Sequence, residues 1–232
     1  MINIKKSIDT LRDEGLSKNS IIKLFFEKHT HFLLFKKLDS TPNIIHALID
    51  IDFRFIKKNN YRKNKKYVKE ISSMMFENFE KINLKFHNNS ECLIAIFNKS
   101  LVGYIWINFN NYKTKGIKNL IRMGPKGVYI GPAYITPKFR GKKIYEALLS
   151  RSFKYVYDLG YTQVYGAVSH NNIPSIKGCL KQKYEPIEIH YRIRIGPFVI
   201  YPKSKKEDLE YYSKIYYQLR DSFIRKNSYF KK

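Results

Sequence analysis

Residues 128–161, VYIGPAYITPKFRGKKIYEALLSRSFKYVYDLGY, constrain this chain more than any other stretch. Apolar strand residues, Val128 to Ile135, run through a short basic loop with one glycine into an amphipathic helix. That helix buries Ile144, Leu148, Val156 and Leu159 and stops at Gly160. The junction is also a place to put a phosphate. The first N–H groups of a helix have no intrahelical partner, and the helix dipole adds partial positive charge there. Arg140, Lys142 and Lys143 add full charges. The segment predicts a site for a nucleotide or a coenzyme pyrophosphate.

The elements around it follow from periodicity. Residues 4–14 read as a helix stopped by Gly15, and Asn19 or Ser20 caps a second helix through Phe25. The aromatic and basic run LFFEKHTHFLLFKKL continues this arm, which packs on the main domain or touches a membrane surface. His46 to Ile56 alternates like a strand, and residues 66–80 form a helix with Val68, Ile71, Met75 and Phe79 on one stripe. ECLIAIF, a three-residue break and LVGYIWINF make a hairpin. After Gly160 come a strand (Thr162 to Ser169), a helix capped by Asn172, a strictly alternating strand EPIEIHYRIRI and a last helix over 206–225. The stripe of that last helix, which includes Leu219 and Phe223, covers the core or makes a dimer contact.

The predicted fold class is therefore α/β (α+β), a mixed central sheet with helices on both faces. The predicted organisation is a helical arm at 1–44, a main domain at 45–196 and a helical extension at 197–232. The net charge of +25 has two readings. It suits a polyanionic partner, such as nucleic acid, an anionic membrane or a phosphorylated substrate. It is also what a Lys-, Asn-, Ile- and Tyr-rich composition produces when the charge is spread along the chain. Cys92 and Cys179 form no CxxC, which points to a reducing cytoplasm and away from a zinc site. His29 and His31 lack a third ligand in reach, so no metal is expected. The N-terminus has no apolar segment of a signal peptide, and no apolar run approaches the ~18 residues of a membrane span.

Two motifs carry a family resemblance. YITPKFRGKKIYEALL supplies Ile135, Pro137 and Arg140 at a strand-to-helix junction, and VSHNNIPSIKGCLKQKYEPI supplies Asn172 and Ser175 after the next strand. Together they resemble the Gcn5-related N-acetyltransferases (GNAT) over residues 45–195. The arm segment LRDEGL, Leu11 to Leu16, resembles that of some acetyltransferases from surface-polysaccharide gene clusters. The departures are specific. Lys143 replaces the first glycine of the motif, Tyr145 its glycine or alanine, Cys179 a leaving-group tyrosine, and Lys183-Tyr184 a Gly-Phe pair.

The resemblance implies the acyl-CoA N-acyltransferase fold and direct attack of an amine on acetyl-CoA. It places the coenzyme at Ile135, Pro137, Arg140, Gly141, Lys142, Lys143, Ile144, Tyr145, Asn172 and Ser175, with an oxyanion-binding amide near Ile135. Cys179, Tyr184, Glu188 and His170 are the candidate acids and bases. Glu188, His190, Arg192 and Arg194 share one strand face by period-2 alternation. From that face His190, Arg192 and Arg194 are expected to hold an anionic acceptor such as a nucleotide-linked amino sugar. The alternatives are a basic module that binds nucleic acid or another polyanion, and an acyltransferase acting on an RNA-linked amine.

Overall fold

The computed structural model describes residues 26–114, 117 and 120–228, with side chains up to 218. Within them lies one eight-stranded sheet. Its strands are β1 (Phe26–Lys37), β2 (Asp52–Ile56), β3 (Ser90–Phe97), β4 (Ser100–Asn108), β5 (Gly127–Ile135), β6 (Gln163–Ser169), β7 (Glu185–Ile195) and β8 (Phe198–Ile200). Their spatial order is β2-β3-β4-β5-β6-β1-β7-β8. The helices are α1 (Lys65–Met75), α2 (Phe79–His87), α3 (Ile144–Asp158), α4 (Ile173–Lys181) and α5 (Lys206–Ser228). The mixed sheet with helices on both faces is the predicted class. The first two predicted helices and the LRDEGL segment lie outside the described residues, as do the side chains of Leu219 and Phe223.

Helices α1 and α2 cover one face through Val68, Ile71, Ile82 and Phe86, packed on Cys92, Ile94 and Trp106. Helices α3, α4 and α5 cover the other, where Leu148, Phe153, Ile176 and Tyr216 meet Ile105, Val128 and Phe32. Residues on each strand divide between these faces by alternation. The last helix thus covers the core: the fully buried Tyr216 donates its hydroxyl proton to the Tyr184 carbonyl at 3.0 Å.

The run expected to extend a helical arm is instead a central strand. β1 lies antiparallel between β6 and β7, pairing His31 with Ser169 on one side and with His190 on the other. Its Phe32-Leu33-Leu34 run is buried on both faces, which is what a central strand needs and what hides its period of two. Residues 26–37 of the stretch assigned to the arm thus belong to the sheet.

Two smaller expectations shift as well. Only Asp52–Ile56 of the 46–56 stretch pairs as a strand. The preceding residues brace α3 instead, with the Ile45 N–H on Ser150 Oγ (2.9 Å) and the Leu48 N–H on the Lys142 carbonyl (2.9 Å). The helix expected over 66–80 ends at Phe76, which is left-handed (φ 52°), and restarts after Asn78, whose side chain caps the Lys81 N–H.

The sheet is opened at its centre. β5 pairs in parallel with β6 only from Gly127 to Tyr129. Beyond that, β5 carries one residue more than β4, since Ile107 opposes Ile130 while Ile105 opposes Ala133. Buried Asn108 holds this bulge. Its amide donates to the carbonyls of Tyr129 (3.2 Å) and Gly131 (2.8 Å) and accepts from Ser90 Oγ (3.0 Å). Asn108→Leu would orphan all three groups at once. We expect a loss of roughly 2–4 kcal/mol in urea unfolding, at one to three for each stranded buried group with partial relaxation. A loss under ~1 kcal/mol would show that the bulge does not depend on this amide.

Candidate active site

The gap between β5 and β6 gathers the predicted coenzyme residues. The Thr136 N–H donates to the Val102 carbonyl (3.0 Å), so Tyr104 and Tyr134 form the next hydrogen-bonded pair of the ladder. The N–H groups of Ala133 and Ile135 consequently point away from β4, into the gap. They are donors suited to an oxyanion. At its mouth, Arg140 Nε donates to the Ile135 carbonyl at 3.2 Å.

The basic loop then turns through two left-handed residues, Gly141 (φ 78°) and Lys143 (φ 56°). α3 starts only at Ile144, later than the sequence suggests, because Lys143 is its N-cap. The first helical acceptor is the Lys143 carbonyl, taken by the Ala147 N–H at 3.0 Å. The N–H groups of Ile144, Tyr145 and Glu146 therefore have no acceptor within the helix. Arg140, Lys138 and Lys143 are exposed around them, and the Lys142 ammonium lies 5.5 Å over the Phe139 ring. Amides, dipole and cations converge on one spot, which fits a pyrophosphate.

Tyr145 does not obstruct that spot. Its ring turns into a notch over Gly178 of α4, where an added Cβ would lie 2.5 Å from the ring. Its hydroxyl lies 3.8 Å from Cys179 Sγ. Burial pushes the Tyr145 phenol well above its usual range and lifts the Cys179 thiol to about 11. Cys179 is only 6% exposed and belongs to the core cluster, and Ser175 lies within hydrogen-bonding reach of it. Tyr184, taken from the sequence as a possible acid, is 4% exposed and packs at a tilt against Phe153, ring centroids 5.7 Å apart. The structure turns it into the core, away from any reacting group. Asn172 accepts from the Ser175 N–H (3.3 Å) and keeps an exposed face, so capping leaves its amide available to a ligand.

The opposite sheet face, beyond the gap, carries a polar ladder. Cross-strand register puts Glu27, His29, His31 and Leu33 of β1 beside Arg194, Arg192, His190 and Glu188 of β7. Arg194 is spent on Glu27 (3.0 Å), which holds that carboxyl below its usual range. His190 lies 3.3 Å from Glu188. Burial, with the charges of His29, Arg192, His190 and His170, drives His31 down to about 4. Its Nδ1 is buried without a partner, as is that of His170. His170 sits at the end of β6, edge-on to Tyr212 at 5.9 Å. Arg192 thus remains, among the described residues, the cation of the expected anion clamp without an ion pair. The sequence reading discounted His31, because only the cross-strand register brings it beside His190.

Glu77 was also missed. It follows Phe76 in the turn between α1 and α2, and the Ser72 hydroxyl clamps its carbonyl at 2.5 Å. Its half-buried carboxylate has no cation at ion-pair distance among the described residues, in a chain with 44 cations and 19 acids. It faces Tyr104 and Tyr112, adding to the burial that raises both phenols. Tyr104 stands opposite Tyr134, next to Ile135. Phe76 beside it is 97% exposed.

A basic loop at a helix start, beside a sheet opened between β5 and β6, suits a phosphate-bearing coenzyme. Residues 57–181, more than half of the chain, match the family model for the acetyltransferase (GNAT) family, and the chain belongs to that family. That family takes its acetyl group from acetyl-CoA. No curated protein matches it. Among solved structures it resembles a GNAT-family protein from Novosphingobium aromaticivorans at 9% identity and TM-score 0.52, over 77% of this chain and 66% of that one. It resembles a Drosophila protein at 9% and 0.52, over 84% and 58%. A Gcn5-related N-acetyltransferase from Sphaerobacter thermophilus matches at 17% and 0.48, over 86% and 58%. The chain thus spans 58% of the length of the last two. At these identities the likeness concerns the fold.

Two outcomes follow from the geometry. Lys143→Gly relieves a left-handed side chain and should raise the unfolding free energy by about 1 kcal/mol. The same change should weaken CoA binding several-fold in calorimetry, through the lost charge. A variant that is both less stable and unaltered in CoA affinity would contradict this account of the loop. His31 has a folded pKa near 4, below its ordinary 6.5, so its neutral form belongs to the folded state. That contribution is intact above about 6.5 and drains away as the pH falls towards 4, because the unfolded chain then takes up the proton. The stability of His31→Gln should fall less steeply over that window. An unchanged slope would contradict the burial of a neutral imidazole.

Proposed function

We propose that the protein transfers an acetyl group from acetyl-CoA to the primary amine of a small acceptor that also carries an anionic group, with a nucleotide-linked amino sugar as the type case. The observation that carries this reading is the pairing of two unlike charges on the acceptor face. Glu77, with no ion pair among the described residues, lies by Tyr104 on the β4–β5 side of the gap, and Arg192, likewise without one, lies on β7 beyond β6 and β1. An ammonium suits the first and a phosphate the second.

In this reading the pyrophosphate of CoA takes the amides of residues 141–146, with Arg140, Lys142 and Lys143 around it. Pro137 and Ile135 line the entry to the gap, and Asn172 and Ser175 border the pantetheine arm. Glu77 receives the acceptor's ammonium and takes the proton that must leave before the nitrogen can attack. The free amine adds to the thioester carbonyl, whose oxygen accepts from the Ala133 and Ile135 N–H groups. Collapse of the adduct breaks the carbon–sulfur bond and releases CoA thiolate. Cys179 is a packing residue for Tyr145 and Gly178, and the thiolate leaves without its help.

The test is a thiol-release assay across a panel of amines. Glu77→Gln should lower kcat/KM by about 100-fold with CoA affinity unchanged. Arg192→Ala should raise KM for an anionic acceptor and spare that for acetyl-CoA. Cys179→Ala should lose some stability and keep its single-turnover rate. If neutral amines without phosphate are the best acceptors, and Arg192→Ala uses them normally, the anionic part of this reading falls. If Glu77→Gln keeps full activity, its proton-accepting role falls.

A further inference from the structure

Acetyl transfer leaves one cavity unused. It encloses about 520 Å³ between the end of α4, the side of α3 and the segment 38–45, and none of residues 137–145 lines it. Ser40 and Thr41 supply hydroxyls, and four lysines share the wall with two acids, Asp39 and Glu185.

Two of those lysines are already matched. Lys37 pairs with Asp39 at 2.7 Å, and Lys181 with Glu146 at 2.9 Å. Lys36 and Lys183 have no carboxylate within ion-pair distance among the described residues, although Glu185 stands in the same wall. The Lys36 ammonium is half-buried, 5.6 Å from the Phe153 ring centroid. Burial, and next the charge of Lys183, weaken its hold on its proton, while the charges of Asp39 and Glu185 partly oppose them. Two ammonium groups therefore converge on one cavity and repel each other.

The backbone adds an independent sign. Lys183 is left-handed, at φ 57°, where a glycine would sit without strain. Two other lysines share that conformation. Lys99 sits in the two-residue turn of the β3–β4 hairpin, where left-handed residues are required. Lys143 sits in the pyrophosphate loop. Lys183 ends α4, where glycine or asparagine is the usual choice, and carries its charge to the cavity mouth.

We propose that this cavity binds a small organic phosphate, a phosphomonoester. Two ammonium groups without a direct ion pair among the described residues suit its charge. The Ser40 and Thr41 hydroxyls can donate to the remaining phosphate oxygens. The site shares no residue with the loop, the β5–β6 gap or the acceptor face, so its failure would leave acetyl transfer untouched.

The test is equilibrium dialysis of phenyl phosphate against the full chain saturated with CoA, at about 0.15 M salt so that diffuse attraction is screened. One phenyl phosphate should bind per chain. Lys183→Gly removes the charge while relieving the backbone, and should weaken binding by about tenfold or more. Lys36→Met should do the same. Lys99→Gly, an equal loss of charge and strain elsewhere, should leave binding unchanged. Absence of saturable binding overturns the proposal. So does equal weakening in Lys99→Gly, which would mean that only net charge matters. Loss of binding in Arg192→Ala but not in Lys183→Gly would put the probe in the acceptor cleft and also overturn it.

Discussion

The side-chain amide of Asn108 holds open the place where the chemistry happens. A continuous β5–β6 ladder would use every N–H and C=O on β5 for pairing, leaving none for a ligand. The bulge in β5 against β4 comes where the β5–β6 pairing ends, and Asn108 keeps it satisfied by donating to the Tyr129 and Gly131 carbonyls. The buried polar groups are thus paired on the side away from the gap. The amides of Ala133 and Ile135 stay free towards it. Rigidity and vacancy come from the same contact, and everything bound in the gap depends on it.

Charge is arranged around that opening with unequal economy. Most cations lie exposed, where a pair contributes little. A few are held at a cost. Lys143 and Lys183 occupy left-handed backbone that disfavours a side chain by ~1–2 kcal/mol, and Lys36 is half-buried. Glu77 is the converse case, a carboxylate without an ion pair among the described residues of a chain rich in cations. Costs of this kind persist where a binding partner offsets them, which is why these residues carry the functional reading.

Much of this was legible in the sequence, and the rest was hidden for physical reasons. The strand, loop and helix from Val128 to Gly160 show themselves because apolar period and basic loop agree. Asn172 shows itself because an N-cap has a side-chain signature. β1 did not, since a central strand buries both faces and loses its alternation at Phe32-Leu33-Leu34. Placing β1 between β6 and β7 is what sets His31 beside His190, so the histidine cluster was invisible until the register was known. Glu77 could not be found by spacing, because what marks it is the absence of a partner in space. The notch at Gly178 for Tyr145 likewise needs the crossing of α3 and α4. Nothing about Asn108, the penultimate residue of LVGYIWINF, announces the bulge.

The most direct measurement is a crystal structure of the protein with acetyl-CoA bound. The account predicts the pyrophosphate on the amides of residues 141–146. It predicts the acetyl carbonyl oxygen between β5 and β6, accepting from the Ile135 or Ala133 N–H within about 3 Å. A coenzyme bound away from the 140–145 loop, or an acetyl group lying outside the β5–β6 gap, would contradict it.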